Sequence, residues 1–120
     1  MERPYKLRCH CGAIRLEVDA DLAGLHECNC SICGRSGFIH WKVPAEVVRL
    51  ATPDASLSTY VWRDPNGGQG FCPTCGTPVL RTGYGDRVSV NARCLDGVDV
   101  FDLDVDRYDG RTLMPPGPQY

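Results

Sequence analysis

The sequence predicts a small, mainly β domain with little helix, and three observations support this class. Proline and glycine account for 9 and 13 of the 120 residues and interrupt the chain at short intervals, which disfavours long elements. The segments between these breaks are short and rich in β-branched and aromatic residues, as is typical of strands. No apolar pattern of helical period extends beyond about two turns. A chain of this length predicts a single domain covering residues 1–120.

The predicted elements follow the breaks in order. Two hairpins are expected, YKLRC with AIRLEVD around the turn CHCG, and QGFC with TPVLRTG around the turn CPTCG. SICGRSG is expected to form one helical turn, and DPNGGQG (Asp64–Gly70) a flexible loop. The tail MPPGPQY is incompatible with a helix or an inner strand. The remaining predicted strands are LHECNC, FIHWKV, VVRLA, LSTYVWRD and DRVSVNARC.

The C-terminal part, residues 97–120, is expected to contain a short strand followed by the tail. Its segment DLDVDRYDG (Asp102–Gly110) resembles the start of a calcium loop, but Arg107 stands where such a loop needs glycine. The alternation of apolar and acidic residues instead predicts a strand whose Phe101, Leu103 and Val105 face inward.

Composition and charge narrow the possible partners and the compartment. The net charge is -2 and the isoelectric point about 5.8, so no basic footprint predicts nucleic-acid binding. No apolar run approaches the roughly 18 residues of a membrane span, and the start MERPYKLRCHCG lacks the apolar segment of a secretory signal. We therefore expect a cytoplasmic protein without membrane contact. In that reducing compartment, patterned cysteines predict metal sites rather than disulfides.

The cysteines form three clusters, and each cluster ends in Cys-Gly. These pairs are Cys11-Gly12, Cys33-Gly34 and Cys75-Gly76. Tight turns that bring two thiols together commonly need a residue with positive φ, which glycine adopts at no steric cost. The repeated detail therefore favours three metal-binding turns.

The first and third clusters together supply one complete ligand set, which consists of Cys9, Cys11, Cys72 and Cys75. A tetrahedral zinc site places thiolates about 3.8 Å apart, a spacing that such turns are able to meet. The site would close a loop of about 60 residues, and structural zinc contributes directly to folding. Two disulfides or inert buried thiols are the alternatives, and iron is an alternative to zinc at an all-thiolate site.

The middle cluster supplies three thiolates, from Cys28, Cys30 and Cys33. In an extended segment His26 would share a face with two of them, so it is a candidate fourth ligand, as are His40 and Cys94. Without such a ligand the fourth position is open, as in catalytic zinc sites. Three thiolates weaken the power of zinc to acidify water, and a soft, thiolate-rich zinc suits a further thiol. Thiol chemistry and a second structural zinc both remain open on the residues alone.

Taken together, these motifs resemble the glutathione-dependent formaldehyde-activating enzyme family, which shares its domain with centromere protein V. The residues that carry the resemblance are CHCG, CNCSICG, CPTCGTPV and Leu95-Asp96, across about residues 5–96. The namesake enzyme is considerably longer, and the end of this chain is short and acidic in place of a longer tail.

The resemblance implies a β-tent fold of several short, coiled antiparallel β-sheets stapled by zinc. It implies two zinc ions per chain, one structural ion at the four-cysteine site and a second, catalytic-type ion at Cys28, Cys30 and Cys33. The namesake reaction joins formaldehyde and glutathione reversibly into S-hydroxymethylglutathione, which is formally a carbon–sulfur lyase reaction.

Two functions from different classes therefore stay open. In the first, a small-molecule thiol such as glutathione binds the second zinc, and the protein acts as a carbon–sulfur lyase on its adduct. In the second, both zinc ions are structural and the domain is a non-catalytic protein-binding module.

The enzyme hypothesis needs a donor for the developing alkoxide and cations for the carboxylates of glutathione. Arg35 and His40 are the predicted substrate-binding residues. The candidate donors for the alkoxide are Arg35, His26 and His40. The candidate cations for the carboxylates are Arg35, Lys42, Arg63 and Arg93.

Overall fold

The computed structural model describes residues 3–52, 56–62 and 67–113, and within them it contains ten short strands and two short α-helices. The helices are α1 (Cys33–Ser36) and α2 (Gly110–Leu113). The strands are β1 (Tyr5–Arg8), β2 (Arg15–Val18), β3 (His26–Cys28), β4 (His40–Pro44), β5 (Val48–Leu50), β6 (Ser58–Tyr60), β7 (Gln69–Phe71), β8 (Pro78–Tyr84), β9 (Arg87–Asn91) and β10 (Asp106–Tyr108). The predicted mainly β class is confirmed.

These strands form two sheets. A three-stranded sheet has the order β1-β2-β5, and a seven-stranded sheet has the order β10-β3-β4-β9-β8-β7-β6. Both predicted hairpins are present, since β1 pairs with β2 and β7 pairs with β8 in antiparallel registers. Each hairpin therefore presents its cysteine-bearing turn at one end of a different sheet.

One apolar core joins the two sheets. Leu16 and Val18 of β2 belong to the same buried cluster as Trp41 of β4 and Val90 of β9. The Trp41 indole N–H donates to the Asp21 carbonyl at 3.0 Å, which satisfies the one polar atom of this buried ring. Strand side chains alternate between the two faces of a sheet. The side chains that point away from this core are therefore available for a functional site.

The C-terminal segment differs from its prediction. Val100–Asp102 forms a 3-10 turn, and Phe101, which was expected to face inward, is 92% exposed. The Asp99 carboxylate accepts the Phe101 backbone N–H at 2.9 Å, and this local bond favours a turn over a strand. Leu103 and Val105 do pack against the core.

The strand of this region is β10, which begins later than expected and pairs in parallel with β3. Asp106 lies opposite His26, and Tyr108 lies opposite Cys28. A parallel pair was not expected in a fold of antiparallel sheets. Its consequence is that the C-terminal segment borders the second cysteine cluster.

Four predictions fall wholly or partly outside the described residues: residues 64–66 of the predicted loop, residues 63 and 64 of the predicted strand LSTYVWRD, the binding role of Arg63, and the tail MPPGPQY. Among the described residues, the helices are all too short and too polar to cross a membrane.

Candidate functional site

Four thiols from the two hairpin turns meet at one point, as the sequence predicted. The sulfur atoms of Cys9, Cys11, Cys72 and Cys75 all lie within 4.8 Å of one another. The Cys11 sulfur lies 3.7 Å from both the Cys9 and the Cys72 sulfur. This spacing matches the roughly 3.8 Å between thiolates around a tetrahedral zinc ion, so the donor set fits that metal.

The backbone of both turns explains why the thiols converge. Gly12 and Gly76 have φ values of 81° and 79°, which confirms two of the three Cys-Gly predictions. The Gly12 N–H donates to the Cys9 carbonyl at 3.1 Å, and the Gly76 N–H donates to the Cys72 carbonyl at 2.9 Å. The first turn thus closes over three positions and the second over four, and each ends in a glycine of positive φ directly after its second cysteine.

The third Cys-Gly prediction is wrong. Gly34 lies inside α1, and positive φ occurs three residues later, at Gly37 with 68°. The Gly34 N–H donates to the Cys30 carbonyl at 2.8 Å, so the turn after Cys30 continues into a helix. The middle cluster is built differently from the other two.

Hydrogen-bond donors approach three of the four sulfurs of the first cluster. The Ile14 N–H donates to the Cys9 sulfur at 3.3 Å, and the Thr74 N–H donates to the Cys72 sulfur at 3.4 Å. The Thr77 hydroxyl lies 3.1 Å from the Cys75 sulfur and is the main cause that lowers the pKa of Cys75 to about 5. Stabilised thiolates are the form that binds metal. The pKa of the fourth thiol, Cys11, is lowered by a backbone hydrogen bond at Ala13 but raised overall to about 11 by burial and the neighbouring thiols.

Cys94 lies beside this first cluster and not beside the second. It is buried, its thiol donates to the Pro78 carbonyl at 3.4 Å, and burial raises its pKa to about 12. It is not part of either group of converging thiols. Its candidacy as the fourth ligand of the second cluster is therefore wrong.

The second cluster occupies the link between β3 and α1. The sulfur atoms of Cys28, Cys30 and Cys33 lie within 4.8 Å of one another. The Cys30 N–H donates to the Cys28 sulfur at 3.4 Å, and the Cys33 N–H donates to the Cys30 sulfur at 3.5 Å. One short segment thus supplies all three donors.

Among the residues that the structure describes, no histidine, cysteine, aspartate or glutamate atom joins all three sulfurs within 4.8 Å. His40 Nε2 lies 3.2 Å from the Cys33 sulfur but does not lie within 4.8 Å of all three sulfurs. His26 stacks on His40 with their ring centroids 4.9 Å apart. The described chain therefore leaves one side of this thiol triplet open.

That open side faces a cavity of about 130 Å³. Its wall combines the thiols with aromatic rings and two cationic side chains. The lining residues are His26, Cys28, Cys30, Ser31, Ile32, Cys33, His40, Lys42, Trp62, Arg81, Tyr84 and Tyr108.

Among the described residues, only some of the predicted substrate-binding residues line the cavity. His26, His40 and Lys42 line it, whereas Arg35 and Arg93 do not. The Arg35 guanidinium donates to the Ser31 carbonyl at 2.9 Å, and that of Arg93 donates to the Gly37 carbonyl at 2.6 Å. Both arginines are exposed, so the structure does not bring them to the open side of the triplet.

Sequence reasoning missed Arg81, which is only 4% exposed in β8. Its Nη1 donates to the Cys33 sulfur at 2.9 Å and lies 3.3 Å from His40 Nε2. Burial raises the pKa of Cys33 to about 12, and the positive charge of Arg81 opposes this. A signal was available, because Arg81 shares a strand face with the apolar Val79 and therefore points inward at period two.

His40 is a neutral imidazole in this setting. Burial, together with the nearby charge of Arg81, lowers its pKa to about 3. An arginine N–H only donates, so its contact with Nε2 requires the lone pair there and leaves the ring proton on Nδ1. Ser89 Oγ, at 2.7 Å from Nδ1, is the acceptor for that proton.

The chain is similar to known proteins in both sequence and fold. A crystal structure of a Rhodobacter sphaeroides protein, a structural genomics target, is similar with a TM-score of 0.77 and 30% sequence identity, covering 86% of this chain and 99% of that one. The family model described as glutathione-dependent formaldehyde-activating enzyme matches residues 4–108. A match over this length carries both hairpin turns, the thiol triplet and the parallel strand β10, and the chain therefore belongs to the glutathione-dependent formaldehyde-activating enzyme family.

Proposed function

We propose that this protein binds two zinc ions and acts as a carbon–sulfur lyase on a thiol adduct such as S-hydroxymethylglutathione. The observation that carries the proposal is the thiol triplet Cys28, Cys30 and Cys33, which opens on a cavity without a fourth described donor. The four-cysteine cluster is proposed to hold the structural ion. A cytoplasmic location follows, because a reducing compartment keeps these thiols available to metal.

A zinc ion in the triplet would bind the sulfur of the adduct and stabilise, at neutral pH, the thiolate that this sulfur becomes when it leaves. In the lyase direction the carbon–sulfur bond breaks and its electron pair stays on sulfur. The hydroxyl group of the adduct loses its proton as the carbonyl forms, so the products are a thiolate, an aldehyde and a proton.

His26 is the residue best placed to accept that proton. It lines the cavity, and its Nδ1 lies 3.5 Å from the Gly24 carbonyl, which favours a proton on Nδ1. Nε2 then carries a lone pair, and among the described residues no donor engages it. His40 is less suited, because its Nε2 already accepts from Arg81.

Lys42 is the proposed partner for a substrate carboxylate. Among the four cations predicted for this role, it is the one that lines the cavity, and Arg63 lies outside the described residues. Its ammonium group lies 4.5 Å from the centroid of the Tyr84 ring, which holds the charge at the rim by a cation–π contact. Glutathione would therefore place its sulfur at the triplet and a carboxylate at Lys42.

Cobalt substitution tests the open position. Adding glutathione to the cobalt protein should strengthen the thiolate-to-metal absorption, and Cys94→Ala should leave this response intact. The affinity should rise with pH and level off once the pKa of the free thiol, about 8.5, is passed, since binding releases the thiol proton. A spectrum that ignores added thiols would overturn the enzyme proposal and leave the zinc-stapled protein-binding module.

Lys42→Met tests the carboxylate contact separately. We expect weaker binding of glutathione and unchanged binding of 2-mercaptoethanol, a thiol without a carboxylate. Equal loss for both thiols would show that Lys42 acts on the site as a whole.

A further inference from the structure

Arg81 is a buried cation whose described surroundings contain no carboxylate partner. It is 4% exposed, and no described aspartate or glutamate forms an ion pair with it. An isolated buried charge is costly unless it is paired and hydrogen-bonded. The group that meets this need is the sulfur of Cys33, which accepts from Nη1 at 2.9 Å.

The guanidinium is held in one orientation by its other contacts. Nη2 donates to Gln69 Oε1, and the guanidinium carbon lies 4.7 Å from the Phe38 ring centroid and 5.3 Å from that of Trp62. Stacking of this kind suits the planar guanidinium and not the compact ammonium of lysine. The direction of Nη1 toward Cys33 is therefore fixed by the surrounding side chains.

Two acceptors share Nη1. The Cys33 sulfur and His40 Nε2 lie 3.2 Å apart, and both are acceptors once Cys33 is a thiolate. Nη1 carries two hydrogens and donates one to each acceptor. These two hydrogen bonds offset the repulsion between the lone pairs of the Cys33 sulfur and His40 Nε2. Ser89 completes the arrangement by accepting the His40 Nδ1 proton.

We propose that Arg81 is a positioning residue that orients the Cys33 thiolate and offsets the negative charge of the three-cysteine metal centre, so that an anionic fourth ligand is accepted there. Three thiolates and Zn²⁺ carry a net charge of about -1, and a fourth thiolate makes this about -2. A cation at hydrogen-bond distance from one sulfur lowers the electrostatic cost of adding this fourth thiolate. This inference rests on the proposed binding of a thiol at the triplet.

The test compares Arg81→Met, which removes charge and hydrogen bond, with Arg81→Lys, which keeps charge on a shorter reach. Arg35→Met is the matched control, an arginine of the neighbouring helix that does not line the cavity. Cobalt spectra are read as differences from Cys30→Ser, so that the four-cysteine site cancels. A hydrogen bond stabilises the sulfur lone pair, so both Arg81 variants should shift the thiolate-to-cobalt band to lower energy.

The affinities for metal, glutathione and imidazole distinguish the effect of the Arg81 charge from the effect of its hydrogen-bond geometry. Residues that support metal ligands typically change metal affinity by about 10–100-fold, and we expect a loss in this range at the second site of Arg81→Met. Glutathione should bind Arg81→Met at least tenfold more weakly, Arg81→Lys should retain part of this affinity, and imidazole, a neutral ligand, should bind all variants alike.

The outcomes distinguish this inference from the proposed function. If the wild-type cobalt protein ignores thiols, the proposed function fails, and the band position and metal affinity still decide the role of Arg81. An unchanged band and unchanged metal affinity in either folded Arg81 variant would overturn the inference. Loss of folding in both variants would also overturn it, because the role of Arg81 would then be structural.

Discussion

The sulfur of Cys11 lies 3.7 Å from the sulfur of Cys72, although 61 positions separate the two residues in sequence. Cys11 follows β1 of the three-stranded sheet, and Cys72 follows β7 of the seven-stranded sheet. The first cluster therefore joins the two sheets at one end. A metal ion there would fix their relative position.

Replacing Cys72 by serine should unfold the protein. Structural zinc supplies about 10–16 kcal/mol in small zinc domains, whereas a whole domain is stable by only about 5–15 kcal/mol. Loss of this ion should therefore exceed what the core provides. We expect little soluble Cys72→Ser protein, without a cooperative thermal transition in circular dichroism, and the same for Cys9→Ser.

Cys94→Ser is the control for this prediction. It changes a buried cysteine beside the cluster that is not one of its four thiols, and a serine hydroxyl is able to make the same bond to the Pro78 carbonyl. This variant should fold with its full metal content. A well-folded, metal-free Cys72→Ser protein would contradict the structural role of the first site.

Cys30→Ser should give the opposite result, a folded protein with one metal ion fewer. The triplet orders only the segment between β3 and α1 and does not join the sheets. The loss of stability should stay within the range of ordinary substitutions, about 0.5–3 kcal/mol. Elemental analysis and thermal unfolding measure both quantities.

A mild chelator applied to the wild-type protein checks the same separation without a mutation. It should remove about one ion per chain before the fold is lost, because three ligands hold the second ion less firmly than four. Simultaneous loss of both ions with cooperative unfolding would speak against separate roles for the two sites.

Gly76→Ala should destabilise the protein, whereas Gly34→Ala should not. Gly76 has a φ of 79°, and an added Cβ would meet nothing within 4 Å, so the cost is backbone strain alone, about 1–2 kcal/mol. At Gly34, in a helix, the Cβ would lie 3.5 Å from the Asn29 carbonyl oxygen, an ordinary contact. Urea unfolding at fixed free zinc compares the two, and equal stabilities would show that the turn tolerates alanine.

Asn29→Ala should loosen the C-terminal segment at the edge of the cavity. The Asn29 amide donates to the Asp109 carboxylate at 2.9 Å and accepts the Arg111 backbone N–H at 2.9 Å. Each such bond contributes about 0.5–1.5 kcal/mol net. Amide hydrogen exchange in β10 should therefore accelerate by about tenfold or more, as measured by mass spectrometry.

Glu27→Gln is the matched change at the same edge. It removes the exposed ion pair in which the Arg107 guanidinium lies 3.1 Å from the Glu27 carboxylate, and such pairs contribute little. Exchange in β10 should change by much less than in Asn29→Ala. The reverse order would mean that the ion pair, and not Asn29, holds the segment.

The sequence determined the fold class and the thiols that converge. Strand and turn signals are local, since they depend on side-chain alternation and on the few residues that permit positive φ. The hairpins around CHCG and CPTCG could therefore be predicted, together with Gly12 and Gly76. Local spacing also predicted each cysteine pair and the triplet, and the two pairs were joined into one site because together they supply four ligands.

Local sequence signals also gave wrong predictions at two positions, Gly34 and Phe101. At Gly34 the Cys-Gly spacing suggested positive φ, but Gly34 lies in the helical turn that the sequence also predicted for SICGRSG, and its N–H donates to the Cys30 carbonyl. At Phe101 alternation suggested a strand, but the Asp99 carboxylate caps a 3-10 turn. In both cases a neighbouring hydrogen bond decided between conformations that the residue types alone permit.

Only the tertiary structure decided what surrounds the second cluster. Arg81, Trp62, Tyr84 and Tyr108 reach the cavity from strands or adjoining segments distant in sequence, and Cys94 and Arg35 lie elsewhere. These placements depend on sheet order and on the parallel pairing of β10 with β3. Strand pairing over such separations is set by burial of the whole core, which local sequence signals do not specify.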